Sequence, residues 1–141
     1  MNETIALAHG AGGKQTSELI ESVFKKHLNN PLFTADDAAV LPGPKGDMAM
    51  STDGFIVSPP FFNGGNIGKL SICGTVNDLA VCGAEPQYLS CSFIIEEGLP
   101  LADLERVIAS MKAACEKAKV QIVTGDTKVV ERGRGDKLYI N

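Results

Sequence analysis

Four carboxylate positions stand in segments that are otherwise mostly apolar. They are Asp36-Asp37 ahead of Ala38-Ala39-Val40-Leu41, Asp53 in Ser51-Thr52-Asp53-Gly54, Asp78 in Val76-Asn77-Asp78-Leu79, and Asp126 in Thr124-Gly125-Asp126-Thr127-Lys128. A carboxylate in such a setting is costly to bury unless a cation or hydrogen bonds satisfy it. Several close together cannot all ionise without a metal or a basic partner. Oxygen-rich sites of this kind suit Mg²⁺, which is commonly held by a few carboxylates together with substrate phosphates. The plainer reading of each residue is local: Asp53 and Asp126 cap turns, Asp37 opens a strand, and Asp78 bonds Ser71 or Thr75 one turn earlier. That reading serves any one aspartate well, and serves the recurrence of one context at four positions less well.

Two cations could face the same chemistry. Lys128 lies two residues past Asp126, hence on the same face of an extended strand, where it either neutralises a phosphate oxygen or pairs with Asp126. Lys14 ends the stretch His9-Gly10-Ala11-Gly12-Gly13-Lys14, which precedes a helical pattern and could present backbone N–H groups to an anion. The stretch satisfies neither the Walker spacing nor G-x-G-x-x-G, so a flexible N-terminal arm is its plainer reading. Arg132 and Arg134 sit in a Gly-rich turn and are expected to be solvated. Cys73, Cys82, Cys91 and Cys115 include no C-x-x-C pair, and His9 and His27 stand alone, which argues against a structural zinc. All four cysteines have apolar neighbours and are expected to be reduced, buried and unreactive.

The elements that must position these residues follow from periodicity. Ile20, Val23, Phe24, His27 and Leu28 mark a helix over Lys14–Leu28, stopped by Asn29-Asn30-Pro31. Ala38–Leu41 and Met48–Val57 read as two strands of a hairpin about a Pro/Gly turn. Pro59 to Asn66 reads as a loop, with Asn66 the N-cap of a small-sided helix over Ile67–Val81 that ends at Gly83. Gln87–Glu96 is a strand. Leu101, Leu104, Val107, Ile108, Met111 and Cys115 mark a third helix, with acids early and lysines late as its dipole favours. Val120–Val130 and Lys137–Ile140 complete an α/β (α+β) domain: a mixed β-sheet with helices packed on one face.

Composition sets the frame. The 141 residues carry 13 Lys+Arg against 17 Asp+Glu, a net charge of −4, and 44% hydrophobic residues. That fits one ordinary domain. The acidic balance argues against a nonspecific nucleic-acid binder. No apolar run approaches the roughly 20 residues of a membrane span and no signal peptide is visible, so a cytoplasmic protein is expected. A sheet covered by helices on one side only, with strands as apolar as Phe93-Ile94-Ile95, is expected to be covered by a second copy.

Taken in order, six segments resemble a known family: His9–Lys14, Asp36–Val40, Ser51–Asp53, Pro60–Lys69, Cys73–Ala80 and Val123–Val130. The likeness is to the N-terminal domain of the HypE hydrogenase maturation factors. These belong to the ATP-binding superfamily of aminoimidazole ribonucleotide synthetase, selenophosphate synthetase and thiamine-monophosphate kinase. The resemblance implies a single ATP-binding and dimerisation domain over residues 1–141, whose sheet joins that of a second copy in a barrel-like homodimer core. It implies ATP and Mg²⁺ as cofactors, with Asp36, Asp37, Asp53, Asp78 and Asp126 as metal carboxylates. Gly10, Gly12, Gly13, Lys14, Asn77, Asp126, Thr127 and Lys128 would contact the nucleotide, and Asp78 and Lys128 would be the catalytic pair.

In that family ATP drives dehydration of a thiocarboxamide on a C-terminal cysteine to a thiocyanate, the precursor of the CN ligands of [NiFe]-hydrogenase. The implied partners are HypF as carbamoyl donor and the HypC–HypD complex as acceptor. The implied second domain and cysteine tail are absent from these 141 residues, whose last cysteine, Cys115, lies within a helix. The chain alone is therefore expected not to complete the reaction. The alternative is a non-catalytic module that dimerises and docks with maturation proteins.

Overall fold

Along β3 (Tyr88–Glu96), Leu89, Cys91, Phe93 and Ile95 are buried while Ser90 and Ile94 between them are exposed. This two-residue alternation marks a strand with helices on one face only. The computed structural model, which describes residues 4–34 and 38–141, makes β3 the centre of a three-stranded sheet. β4 (Gln121–Val130) runs parallel to β3, and β5 (Leu138–Ile140) runs antiparallel to it. A parallel pair requires a crossover, which is supplied by α4 (Leu101–Ala118). The helix lays Leu104, Val107, Ile108, Met111 and Cys115 into the core and closes at Lys119 in a left-handed conformation, φ 59°.

α3 (Ile67–Val81) starts as its sequence predicts. The Asn66 side chain accepts hydrogen bonds from the N–H groups of Gly68 (2.9 Å) and Lys69 (3.1 Å). The absence of a side chain at Gly68 lets α3 approach α4: a Cβ there would lie 2.5 Å from the Val107 carbonyl oxygen. The N-terminal helical run comprises α1 (Lys14–Leu19), a π-helical stretch (Ile20–Lys25) and α2 (Lys26–Leu28). It buries Leu19, Val23, Phe24 and Leu28, and the Phe24 ring sits 5.1 Å from that of Phe93.

The expected hairpin does not form. Ala38–Leu41 has no ladder partner among the described residues, and Met48–Val57 contributes a single bridge, Phe55 to Ile140. A strand needs a neighbour of matching length, and β5 has only three residues. Val40, Met48, Met50 and Ile56 therefore project into solvent at 88%, 73%, 89% and 75% exposure. Conversely, the segment read as a loop carries a short ladder of β1 (Phe61–Phe62) and β2 (Gly65–Asn66).

The cysteines divide in two. Cys91 and Cys115 are buried, and desolvation pushes their thiols up to about 12 and about 11. Cys73 and Cys82 are exposed, correcting the expectation that all four are buried. α3 is apolar on nearly every side, so its pattern does not reveal which side faces the core. Alkylation of the native chain at pH 8 is expected to modify Cys73 and Cys82 within minutes. Cys91 and Cys115 should react only after denaturation, a contrast that intact mass spectrometry resolves.

The loop from β4 to β5 is held by Glu96. Its carboxylate accepts from the N–H of Gly133 (2.6 Å) and of Lys137 (3.0 Å), bonds that hold its pKa below the ordinary 4.5. A carboxylate depressed in the folded state adds stability above its unfolded pKa and loses it as pH falls through the folded value. Glu96→Gln should therefore lower the melting temperature at neutral pH. The gap to the parent should narrow as pH falls below 4.5 and close once it passes the depressed folded-state value, where parent and variant are both uncharged at this position. A gap that stays constant from pH 7 to pH 3 would contradict this.

Candidate functional site

β4 carries the densest chemistry. A register shift at Leu89/Ser90 places Ser92 opposite Asp126 and Ile94 opposite Lys128. Opposed residues share a face, so Asp126 and Lys128 stand with exposed Ile94 on the face that the helices leave uncovered. Thr127 is opposite buried Phe93, on the helix side. The Lys128 Nζ lies 2.7 Å from one Asp126 carboxylate oxygen and 2.9 Å from the other. That bond, with a second from the Thr127 N–H (2.8 Å), holds the Asp126 pKa below the ordinary carboxylate range, so this carboxylate is ionised at neutral pH. Gly125 before it is opposite Cys91, and a Cβ there would overlap the Cys91 carbonyl oxygen. The strand carrying the pair is thereby packed tightly against β3.

The Gly-rich N-terminus is an ordered turn seated on this strand, not a flexible arm. Ile5 is buried and its backbone is bonded on both sides, its N–H to the Leu99 carbonyl (2.8 Å) and its carbonyl to the Gly98 N–H (2.8 Å). A 3₁₀ turn over Leu7–Gly10 follows, in which His9 Nδ1 accepts from the Ala6 N–H at 2.9 Å. Gly10 then meets β4 so closely that a Cβ would lie 2.5 Å from the Val129 nitrogen. This contact seats the turn against β4 at Val129, the residue after Lys128. Gly12 takes φ +79° and Gly13 caps α1 in an extended conformation, both with open space where a side chain would be. Lys14 opens α1 almost fully exposed, with Glu18 at 3.7 Å.

The remaining aspartates are placed differently. Asp53 lies beside a groove of about 1410 Å³, lined also by Met50, Ser71, Thr75, Leu79 and Val123. Its carbonyl accepts from the Asn141 side chain at 3.0 Å, and the Asn141 backbone pairs with Ser92, the residue opposite Asp126. Asp53 and Asp126 thus stand three strand spacings apart, roughly 14 Å. Asn77 and Asp78 are exposed on α3. Among the described residues no bond joins Asp78 to Ser71 or Thr75, and the Ser71 hydroxyl bonds the Gly68 carbonyl instead. Asp36 and Asp37 lie outside the described residues.

The chain therefore packs Gly10 against β4 at Val129, pairs Lys128 with Asp126 on that strand, and holds Asp53 and Asp78 on other elements. Among the described residues no three His, Cys, Asp or Glu side chains are gathered closely enough to hold a metal. Asp126 already faces an ammonium. Two supporting residues escaped the sequence reading, Thr16 and Asn141. Thr16 lies one helical turn beyond Gly12, a spacing at which a hydroxyl can reach a backbone N–H. Asn141 has no comparable signal.

Residues 35–141 match the family described as AIR synthase related protein, N-terminal domain. The whole chain is 55% identical over 141 residues to the carbamoyl dehydratase HypE of Rhizobium leguminosarum bv. viciae, covering 99% of this chain and 40% of that protein. Its backbone superposes on a crystal structure of the hydrogenase maturation protein HypE in complex with ATP with a TM-score of 0.94, at 53% identity. That match covers 97% of this chain and 41% of the other. A HypE–HypF complex matches at TM-score 0.66 and 50% identity, over 86% of this chain and 39% of the other. The chain thus spans about two fifths of the length of these relatives. None of the described helices is long and apolar enough to cross a membrane.

Proposed function

Since the chain belongs to the AIR synthase related protein N-terminal domain family, we propose that it is the ATP-binding and dimerising part of a HypE-type carbamoyl dehydratase acting in the cytoplasm. The observation that carries this reading is the Asp126–Lys128 pair on the uncovered face of β4, a strand against which the Gly-rich turn packs through Gly10 and Val129. A lysine, a carboxylate and a glycine-rich turn gathered on one strand suit a polyphosphate that arrives with Mg²⁺. In the proposed roles, Lys14 and Lys128 neutralise phosphate oxygens. Asp126 and Asp78, with Asp36, Asp37 and Asp53, supply carboxylates for the metal, and Asn77 and Thr127 make nearby polar contacts. Bound ATP would supply a phosphoryl group that turns a thiocarboxamide oxygen into a good leaving group. HypF, as carbamoyl donor, and the HypC–HypD complex, as acceptor, are the partners this assigns.

Calorimetric titration of the chain with Mg-ATP tests the reading. Saturable binding that is lost on adding a chelator, and lost in Asp126→Asn or Asp78→Asn, is the expected result. No heat in the parent chain, or equal affinity in both variants, would overturn it.

One observation favours a docking role as well. Val40, Met48, Met50 and Ile56 form an exposed apolar series beside the half-covered sheet, a surface that a second copy would bury. Sedimentation should show a dimer at micromolar concentration. A dimer that binds no nucleotide would support the non-catalytic module instead.

A further inference from the structure

We propose that Thr16 is a positioning residue for the nucleotide turn, acting through the Gly12 backbone; this rests on the nucleotide-binding reading above. The Thr16 hydroxyl accepts a hydrogen bond from the Gly12 N–H at 2.9 Å and donates one to the Ala8 carbonyl at 3.4 Å. One side chain on α1 thus closes both ends of the turn Ala8–Gly12. Gly12 is the residue that needs fixing: its φ of +79° is a conformation glycine adopts freely and leaves just as freely. On the far side, Gly10 is clamped to the Val129 nitrogen, one residue beyond Lys128. Thr16 therefore sets the conformation of the Gly12-Gly13-Lys14 backbone that a phosphate would meet at the start of α1. Without its hydroxyl the turn keeps the Gly10 contact and loses its hold on Gly12, so a bound phosphate would have to order the backbone at a cost in affinity.

Thr16→Val removes the hydroxyl and keeps the β-branched shape, and Thr16→Ser keeps the hydroxyl. In the chain without nucleotide, amide exchange at Gly12 should quicken at least tenfold in Thr16→Val and stay near the parent rate in Thr16→Ser. With Mg-ATP, Thr16→Val should bind about tenfold more weakly and Thr16→Ser within about twofold, with melting temperatures unchanged. Unchanged Gly12 exchange in Thr16→Val would overturn the proposal whether or not nucleotide binds. Faster exchange with parent-like affinity would overturn its functional half. A parent chain that binds no Mg-ATP at all would overturn the nucleotide reading itself, and with it the role of Thr16 in presenting the turn to a phosphate.

Discussion

Replacing Lys128 with alanine is expected to weaken Mg-ATP binding by about a hundredfold, since a charge-assisted bond to phosphate contributes roughly 1.5–3 kcal/mol. Two effects act in the same direction. The substitution removes the cation on the uncovered sheet face, and it leaves the Asp126 carboxylate, now bonded at 2.7 Å to Lys128, facing phosphate without compensation. Lys128→Arg keeps the charge but exchanges a compact ammonium for a planar fork, and should fall between parent and alanine variant. Folding should be nearly untouched. Both side chains are more than half exposed, and a pair of that kind contributes about 1 kcal/mol or less. Calorimetric affinities at fixed ionic strength, read beside melting temperatures, separate the two effects. A change in affinity below threefold would contradict the role given to Lys128.

The second large effect concerns folding. Gly68→Ala should cost about 2–3 kcal/mol of stability and lower the melting temperature by roughly 6–12 °C. Helix propensity alone predicts the opposite sign, because alanine is favoured over glycine by about 1 kcal/mol in a helix interior. The contact decides it. The new Cβ would lie 2.5 Å from the Val107 carbonyl, 2.8 Å from Met111 Cγ and 2.9 Å from Val107 Cγ1. Backbone cannot swing aside as a side-chain tip can, so α3 must separate from α4 and open the core around buried Ile67, Ile72 and Ile108. Gly43→Ala, where nothing lies within 4 Å of the added carbon, is the matched control. A Gly68→Ala protein as stable as its parent would show that the two helices can separate freely.

The elements that the sequence made legible are those whose signals are local. Asn66 announces α3, the β-rich run Gln87–Glu96 announces β3, and the spacing Leu104-Val107-Ile108-Met111-Cys115 announces α4. The Asp126–Lys128 pairing follows from two-residue spacing on a strand. What was not legible depends on partners remote in sequence. Ala38–Leu41 and Met48–Val57 carry strand-like composition, but only the bridge of Phe55 to Ile140 forms, because the edge offered by β5 is three residues long. The glycine turn looked like a loose arm, since nothing local reports that Gly10 packs against Val129. The exposure of Cys73 was hidden on a helix whose apolar residues surround its axis, and Cys82 lies just past that helix's end.

The central claim is that the glycine turn and β4 together receive the phosphates of Mg-ATP. Hydrogen exchange followed by mass spectrometry, with and without saturating Mg-ATP, tests it most directly. The expected result is slowed exchange in peptides covering residues 9–14 and 124–129, with smaller protection over 51–53 and 76–79, and no change along α4. Protection confined to other segments, or none under conditions where the nucleotide is shown to bind, would contradict it.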